Sequence, residues 1–178
     1  MKSLVVYYSH YGNTASMAVE MLNILNRYGP SDIVQLSHSA GRRNPLKRVL
    51  YRFMPALVEL NTVQTDLRQY DLLCLGIPVF VAHPSSAVLK YLSMCKGLDK
   101  VNIMCCYVYG FEANARKCSK YLHNVLKKYS QAKIEEVFVS WSHVGVQGIL
   151  APAMIKIADN FAKSCDISRS NPDSGPKI

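Results

Sequence analysis

Apolar residues along the chain follow two alternating rhythms. Five short continuous runs, Ser3 to Tyr8, Ile33 to Leu36, Leu72 to Ile77, Val101 to Tyr107 and Ile134 to Trp141, have the length of buried strands. Between them apolar residues recur every three or four positions, the spacing of helices that cover a sheet. Thr14 to Arg27 puts Met17, Ala18, Met21, Leu22 and Leu25 on one face, and Gly29-Pro30 stops it. A second helix is predicted from Asn44-Pro45, with Leu46, Val49, Leu50 and Phe53 inward and a break before Pro55. A third starts near Pro84-Ser85, presents Val88, Tyr91, Leu92 and Cys95, and ends at Gly97. A fourth covers Glu112 to Tyr129 through Cys118, Leu122 and Val125, with Lys127-Lys128 suiting the dipole of its last turn. A fifth follows Pro152 and uses Ile155, Ala158, Phe161 and Ala162.

Strand–helix alternation with continuous apolar strands predicts an α/β domain, a doubly wound five-stranded parallel sheet with helices on both faces. The last strand mixes Glu135-Glu136 with Val137 and Val139 and belongs at an edge; the other four are expected to be central or near-central. No repeat or long linker divides the chain, so one domain over 1–165 and a patternless tail over 166–178 are expected.

Composition narrows the class. A chain of 178 residues, 49% hydrophobic and 19% charged, excludes disordered, fibrous and disulfide-stapled proteins. Its best apolar stretch, Leu72 to Ala82, is interrupted by Gly76 and Pro78 and falls short of the roughly 18 residues of a membrane helix. Leu4 to Tyr8 is too short for the core of a signal peptide, which makes a cytoplasmic address the expectation. The six cysteines include no C-x-x-C, and most lie among apolar residues; reduced packing thiols are expected, not zinc, iron–sulfur or structural disulfide sites. Twenty-one Lys and Arg against 12 Asp and Glu give +9, which favours anionic ligands or acidic partners.

Ligands of open α/β sheets sit beyond the carboxyl ends of the strands, which directs the search to the turns after the first, third and fourth. After the first comes Ser9-His10-Tyr11-Gly12-Asn13-Thr14, followed by a helix with no acidic residue before Glu20. Backbone N–H groups and hydroxyls there can enclose a phosphate, and the same residues equally fit an ordinary turn capped by Asn or Thr. After the third, Pro78-Val79-Phe80-Val81 sets an aromatic ring in a stiff loop that also holds Pro84. After the fourth, Tyr107-Val108-Tyr109-Gly110-Phe111 places three aromatics around a glycine. Taken singly, each aromatic group reads as core packing at a strand end. Together, a phosphate cradle beside two aromatic walls describes a site for a phosphorylated planar heterocycle, and flavin mononucleotide (FMN) fits.

These residues carry a resemblance. VVYYSHYGNTASMA resembles the phosphate loop of flavodoxin-like FMN-binding proteins, S/T-x-x-G-N-T after a strand, and YDLLCLGIPVFVAHPSSAVLKYL resembles their second flavin loop. The order of elements matches over roughly Met1 to Ser164. The resemblance implies strand order 2-1-3-4-5, phosphate held by Ser9 to Thr14, the flavin ring flanked by Pro78 to Val81 with Phe80 at the aromatic position, and Tyr107 to Phe111 on the opposite side. Two departures stand out. Val81-Ala82-His83 replaces a glycine that many relatives carry after the aromatic residue, and the chain is basic where electron-carrier flavodoxins are acidic. The opening segment also looks like the start of flavodoxin-fold NAD(P)H:quinone oxidoreductases.

The leading expectation is a redox protein that transfers electrons through non-covalently bound FMN. The alternative is an FMN-dependent NAD(P)H:quinone-type oxidoreductase, and a third is a flavin-free binding module using the basic second helix. Expected partners are accordingly a redox protein, or NAD(P)H with a small acceptor. Arg42 to Arg52 holds five basic and no acidic residues, a solvated helix face or a dock for an acidic partner; nucleic acid is not expected. No side chain is assigned as a general acid or base, since the flavin carries the chemistry. His10, His83 and His143 lack metal-ligand spacing, and no metal is expected.

Overall fold

The computed structural model describes residues 1–37, 55, 58–60, 63–129, 133–144, 155–156 and 158–163. Five parallel strands, β1 (Ser3–Tyr8), β2 (Ser31–Leu36), β3 (Leu72–Pro78), β4 (Asn102–Tyr109) and β5 (Ile134–Ser140), form one sheet in the order β2-β1-β3-β4-β5. Helices α1 (Asn13–Leu25), α2 (Ser86–Met94), α3 (Glu112–Leu126) and the short α4 (Trp141–Val144) connect or follow them. Residues 158–163 are helical as well.

The two-residue period of the strands divides the interior into two cores. Leu4 and Val6 of β1, Leu73, Leu75 and Ile77 of β3, and Ile103, Cys105 and Tyr107 of β4 point to the face covered by α2 and α3. Val5, Tyr7, Leu72, Cys74, Met104, Cys106 and Val108 point the other way, toward α1 and the 158–163 helix. Every residue of β3 is buried, because helices cover it on both faces and strands flank it on both edges. On α1 the inward residues are Thr14, Met17, Ala18, Met21, Ile24 and Leu25, the expected stripe widened by Ile24 and with Leu22 only partly covered. Ser85 caps α2, accepting the Val88 N–H at 3.4 Å.

β5 lies at an edge, as its glutamates indicated. β2 forms the other edge and is mostly exposed or half-exposed, so Ile33 and Val34 are not the central residues their apolar run suggested. Helices α2 and α3 end at Met94 and Leu126, short of Gly97 and Tyr129. Cys74, Cys105, Cys106 and Cys118 are buried free thiols and Cys95 is a half-buried one; Cys74 and Cys106 approach to 3.7 Å between sulfurs. Among the described residues no helix is long and apolar enough to cross a membrane. The predicted second helix over residues 44–54 with its basic Arg42–Arg52 segment, the start of the fifth helix at Pro152, Cys165 and the 166–178 tail lie outside the described residues.

Candidate functional site

The strand order reverses between β1 and β3: β2 pairs with one side of β1 and β3 with the other. The connections after β1 and β3 therefore leave this point on opposite faces of the sheet, the arrangement beside which open α/β sheets bind their ligands. The register brings the relevant strand ends level. Tyr7 pairs with Gly76, Pro78 with Val108, and Val108 with Val139, so the turns after β1, β3, β4 and β5 emerge along one rim.

In the first turn Gly12 is the N-cap of α1, with φ 92° and ψ −26°. That left-handed conformation costs an L side chain about 1–2 kcal/mol and costs glycine nothing. Neither Asn13 nor Thr14 caps the helix: Asn13 is its first residue, Thr14 is buried, and no side chain bonds to the cap. The first turn of α1 also lacks an acidic residue. The Gly12 N–H donates to Ser9 Oγ at 3.1 Å, which leaves the Ser9 hydroxyl proton for another acceptor. A Cβ on Gly12 would have nothing within 4 Å, so the turn borders open space. His10 and Tyr11 stand exposed beside it, their rings edge to face at 4.5 Å. An uncapped helix N-terminus, a glycine with open space before it and a serine hydroxyl fit the terminal phosphate of a mononucleotide.

Gly76 sets how closely α1 approaches. A Cβ there would stand 2.6 Å from Tyr7 Cβ and 3.2 Å from both Met17 Cε and Thr14 Cγ2. This glycine, inside an otherwise apolar strand, seats the first turns of α1 on the sheet. Its signal was the interruption of the run.

The second turn is a two-residue reversal. Phe80 and His83 exchange backbone hydrogen bonds of 3.1 and 3.0 Å, and Val81 and Ala82 between them have φ of 47° and 65°. Both central residues of a type I′ turn need positive φ, which is why Asn-Gly usually occupies it. Here a β-branched residue and an alanine hold that conformation. The Val79 N–H donates to the Val108 carbonyl at 2.9 Å and ties the turn to β4. Pro78 is buried, Val79 and Phe80 are half-buried and Val81 is exposed.

In the third turn the side chains divide. Tyr107 is fully buried with its ring stacked on Phe138, 5.1 Å between centroids, and its hydroxyl donates to Glu136 Oε1 at 3.4 Å. Val108 is buried in the opposite core. Strand alternation sends these two to the covered faces, so their side chains do not reach the rim; Tyr109, Gly110 and Phe111 do, with Tyr109 half-exposed and the others exposed. Burial raises the Tyr107 phenol far above its ordinary range, with nearby Cys105 and Glu136 adding to the effect, so it stays protonated. Trp141, at the start of α4, joins this rim against Gly110. The sequence reading made it the last residue of the fifth strand and gave it no part in the site; β5 instead ends at Ser140 and Trp141 opens the helix after it.

The rim thus exposes four apolar side chains, Tyr11 (77%), Val81 (67%), Phe111 (74%) and Trp141 (56%), one on each of the turns that follow β1, β3, β4 and β5. Among the described residues no group of His, Cys, Asp and Glu is arranged to hold a metal ion.

No family model matches the sequence, and no curated protein matches it significantly. Solved structures do. A Bacteroides eggerthii protein with a provisional flavoprotein assignment superposes with a TM-score of 0.66 at 14% identity, covering 91% of this chain and 98% of that one. An NADH:FMN oxidoreductase in its apo form gives 0.62 at 14% identity, over 94% of this chain and 90% of that one. The two-electron reduced flavodoxin of Megasphaera elsdenii gives 0.58 at 16% identity, over 90% and 98%. Identities this low speak for the path of the chain, and with the parallel order β2-β1-β3-β4-β5 they establish it: the protein has the flavodoxin-like fold.

Proposed function

We propose that the chain binds FMN non-covalently at the carboxyl rim and serves as a redox protein. The reading is carried by the convergence of the uncapped α1 turn with the Phe80 and Tyr109 turns at the point of strand reversal. Ser9 and the Gly12–Thr14 backbone would hold the phosphate. Phe80 and Tyr109 would flank the ring, and Tyr11, Phe111 and Trp141 would shield it from water. Bound there, FMN would supply electron transfer in one- or two-electron steps. The protein's part is to bind, orient and exclude solvent, so no side chain acts as a general acid or base.

A second reading, an FMN-dependent reductase that takes hydride from NAD(P)H for a small acceptor, is favoured by the Val81-Ala82 turn. Two reciprocal hydrogen bonds hold it, and it has no glycine through which to reorient. A backbone that stays in place gives no separate stabilisation to a one-electron-reduced ligand, which suits two-electron chemistry.

Calorimetric titration with FMN and riboflavin tests the shared core of both readings. FMN is expected to bind at least tenfold more tightly, and equal affinities would remove the phosphate role of Ser9 to Thr14. Phe80→Ala is expected to weaken FMN by roughly 0.5–1.5 kcal/mol beyond lost area and to change flavin fluorescence. Anaerobic addition of NAD(P)H to the FMN-loaded protein then separates the readings: rapid bleaching marks the reductase, and bleaching only with a separate reductase marks the carrier.

A further inference from the structure

The outer face of α3 carries exposed charge of one sign. Between Glu112 and Glu135 the sequence contains no acidic residue and six basic ones, Arg116, Lys117, Lys120, Lys127, Lys128 and Lys133. Arg116 is committed to Glu112 in an ion pair one turn away, and Lys133 lies over the Phe161 ring. Lys117, Lys120, Lys127 and Lys128 remain, all exposed and without an ion pair among the described residues; the first two lie on one side of the helix with exposed Asn124, and the last two follow at its carboxyl end. The inward side is Ala115, Cys118, Ser119, Leu122 and Leu126.

The fold has no need of this stripe. Lys127 and Lys128 suit the carboxyl end of the helix dipole, but Lys117 and Lys120 lie near the middle of the helix, where neither end favours a cation, and at i,i+3 they repel each other. Solvation alone would be served as well by mixed charges, which would add stabilising i,i+4 pairs.

The stripe also adjoins the rim. The His83 ring, at the close of the second turn, packs edge to face on Tyr121 of α3 at 5.2 Å, and Tyr121 is one residue from Lys120 and one helical turn from Lys117. From Lys117 to Lys127, the cap of the helix, the stripe runs about 15 Å at 1.5 Å per residue.

We propose that the outer face of α3 docks an acidic electron-transfer protein, with Lys117, Lys120, Lys127 and Lys128 meeting its carboxylates and the Val81 and Phe111 edge of the rim turned toward it. Lysines suit this role because they are strongly hydrated point charges on flexible stems. They steer and orient an encounter without the rigid bidentate geometry that arginine gives to a lasting complex. Redox encounters are small and short-lived, and their rates depend on such steering. The identity of the partner as a redox protein rests on the FMN reading; the docking itself does not.

The test titrates the isotope-labelled full chain with a strongly acidic [2Fe–2S] ferredoxin at low ionic strength and follows backbone amide shifts, a readout that needs no flavin. Perturbations are expected on α3 and residues 79–83. The pair Lys117→Glu/Lys120→Glu is expected to weaken binding at least tenfold. Lys156→Glu/Lys163→Glu makes the same charge change on the exposed face of the segment that packs with α1 across the sheet, and is expected to stay within twofold of the parent. Equal weakening by both pairs, absence of binding at low salt, or shifts confined to other elements would overturn the proposal. So would tighter binding of single-stranded DNA or phosphatidylserine vesicles that Lys117→Glu/Lys120→Glu abolishes, since the stripe would then belong to another class of partner. A protein that docks ferredoxin on α3 but shows no affinity for FMN would sink the cofactor reading alone.

Discussion

The indole of Trp141 lies directly over Gly110: a Cβ built on that glycine would stand 3.3 Å from both Cε2 and Cζ2. The first residue after β5 thereby buttresses the turn after β4. Gly110→Ala is expected to push the ring outward by a few tenths of an ångström or more. Because this is the sole tryptophan, its emission should shift to the red while far-ultraviolet circular dichroism stays unchanged. An unshifted spectrum would show that the ring does not rest on the glycine in solution.

Gly76→Ala is expected to be the most damaging small substitution in the sheet. The added methyl would meet Tyr7 Cβ at 2.6 Å in a fully buried strand, where neither backbone can retreat. Overpacking of this kind costs about 1–3 kcal/mol, read as a lower denaturation midpoint at constant m. Because Thr14 also borders the site, FMN affinity should fall with it.

The second turn should gain stability from the residues its backbone conformation favours. Replacing Val81 with Asn and Ala82 with Gly relieves two positive-φ residues that do not favour that region. The expected gain is about 1–2 kcal/mol after the added unfolded-state entropy of glycine is counted, measured by chemical denaturation without flavin. No gain would mean that the turn leaves the left-handed region in solution.

Alkali should weaken the fold through its buried thiols. Burial pushes the Cys95 and Cys118 thiols up to about 12 from an ordinary 9. The native state therefore holds protons that the unfolded chain releases first. Their contribution is fully present below pH 9 and is lost as pH rises from 9 through 12. Denaturation midpoints should fall over that window, and at pH 8 the native Cys95 should react with a thiol-specific alkylating agent about a thousandfold more slowly than an unfolded cysteine.

The strands and helices were legible because their patterns are short-range: the apolar run of β3 and the Met17–Met21–Leu25 stripe of α1 each mark their own element. The edge position of β2 was not, since Ile33 and Val34 have a buried strand's composition and only the sheet order decides what covers them. At the rim, proximity to a strand end identified the right segments but not the orientation of their residues. Tyr107 and Tyr109 look alike in sequence and differ by the covering of α3, which reaches one and not the other. Likewise the cap of α1 is a backbone conformation at Gly12, where the sequence offered two polar side chains.

The complete enclosure of β3 has a consequence for how the molecule opens. Its amides, with those of β4 beside it, are sealed on both faces and both edges, whereas among the described residues β2 and β5 each pair with a strand on one edge alone. Proton exchange with solvent at Leu73–Ile77 and Ile103–Cys106 should therefore require global unfolding, while amides near the rim exchange through local fluctuation. The turns at the rim can accordingly breathe, or be rebuilt by substitution, while the two strands that space them apart stay locked.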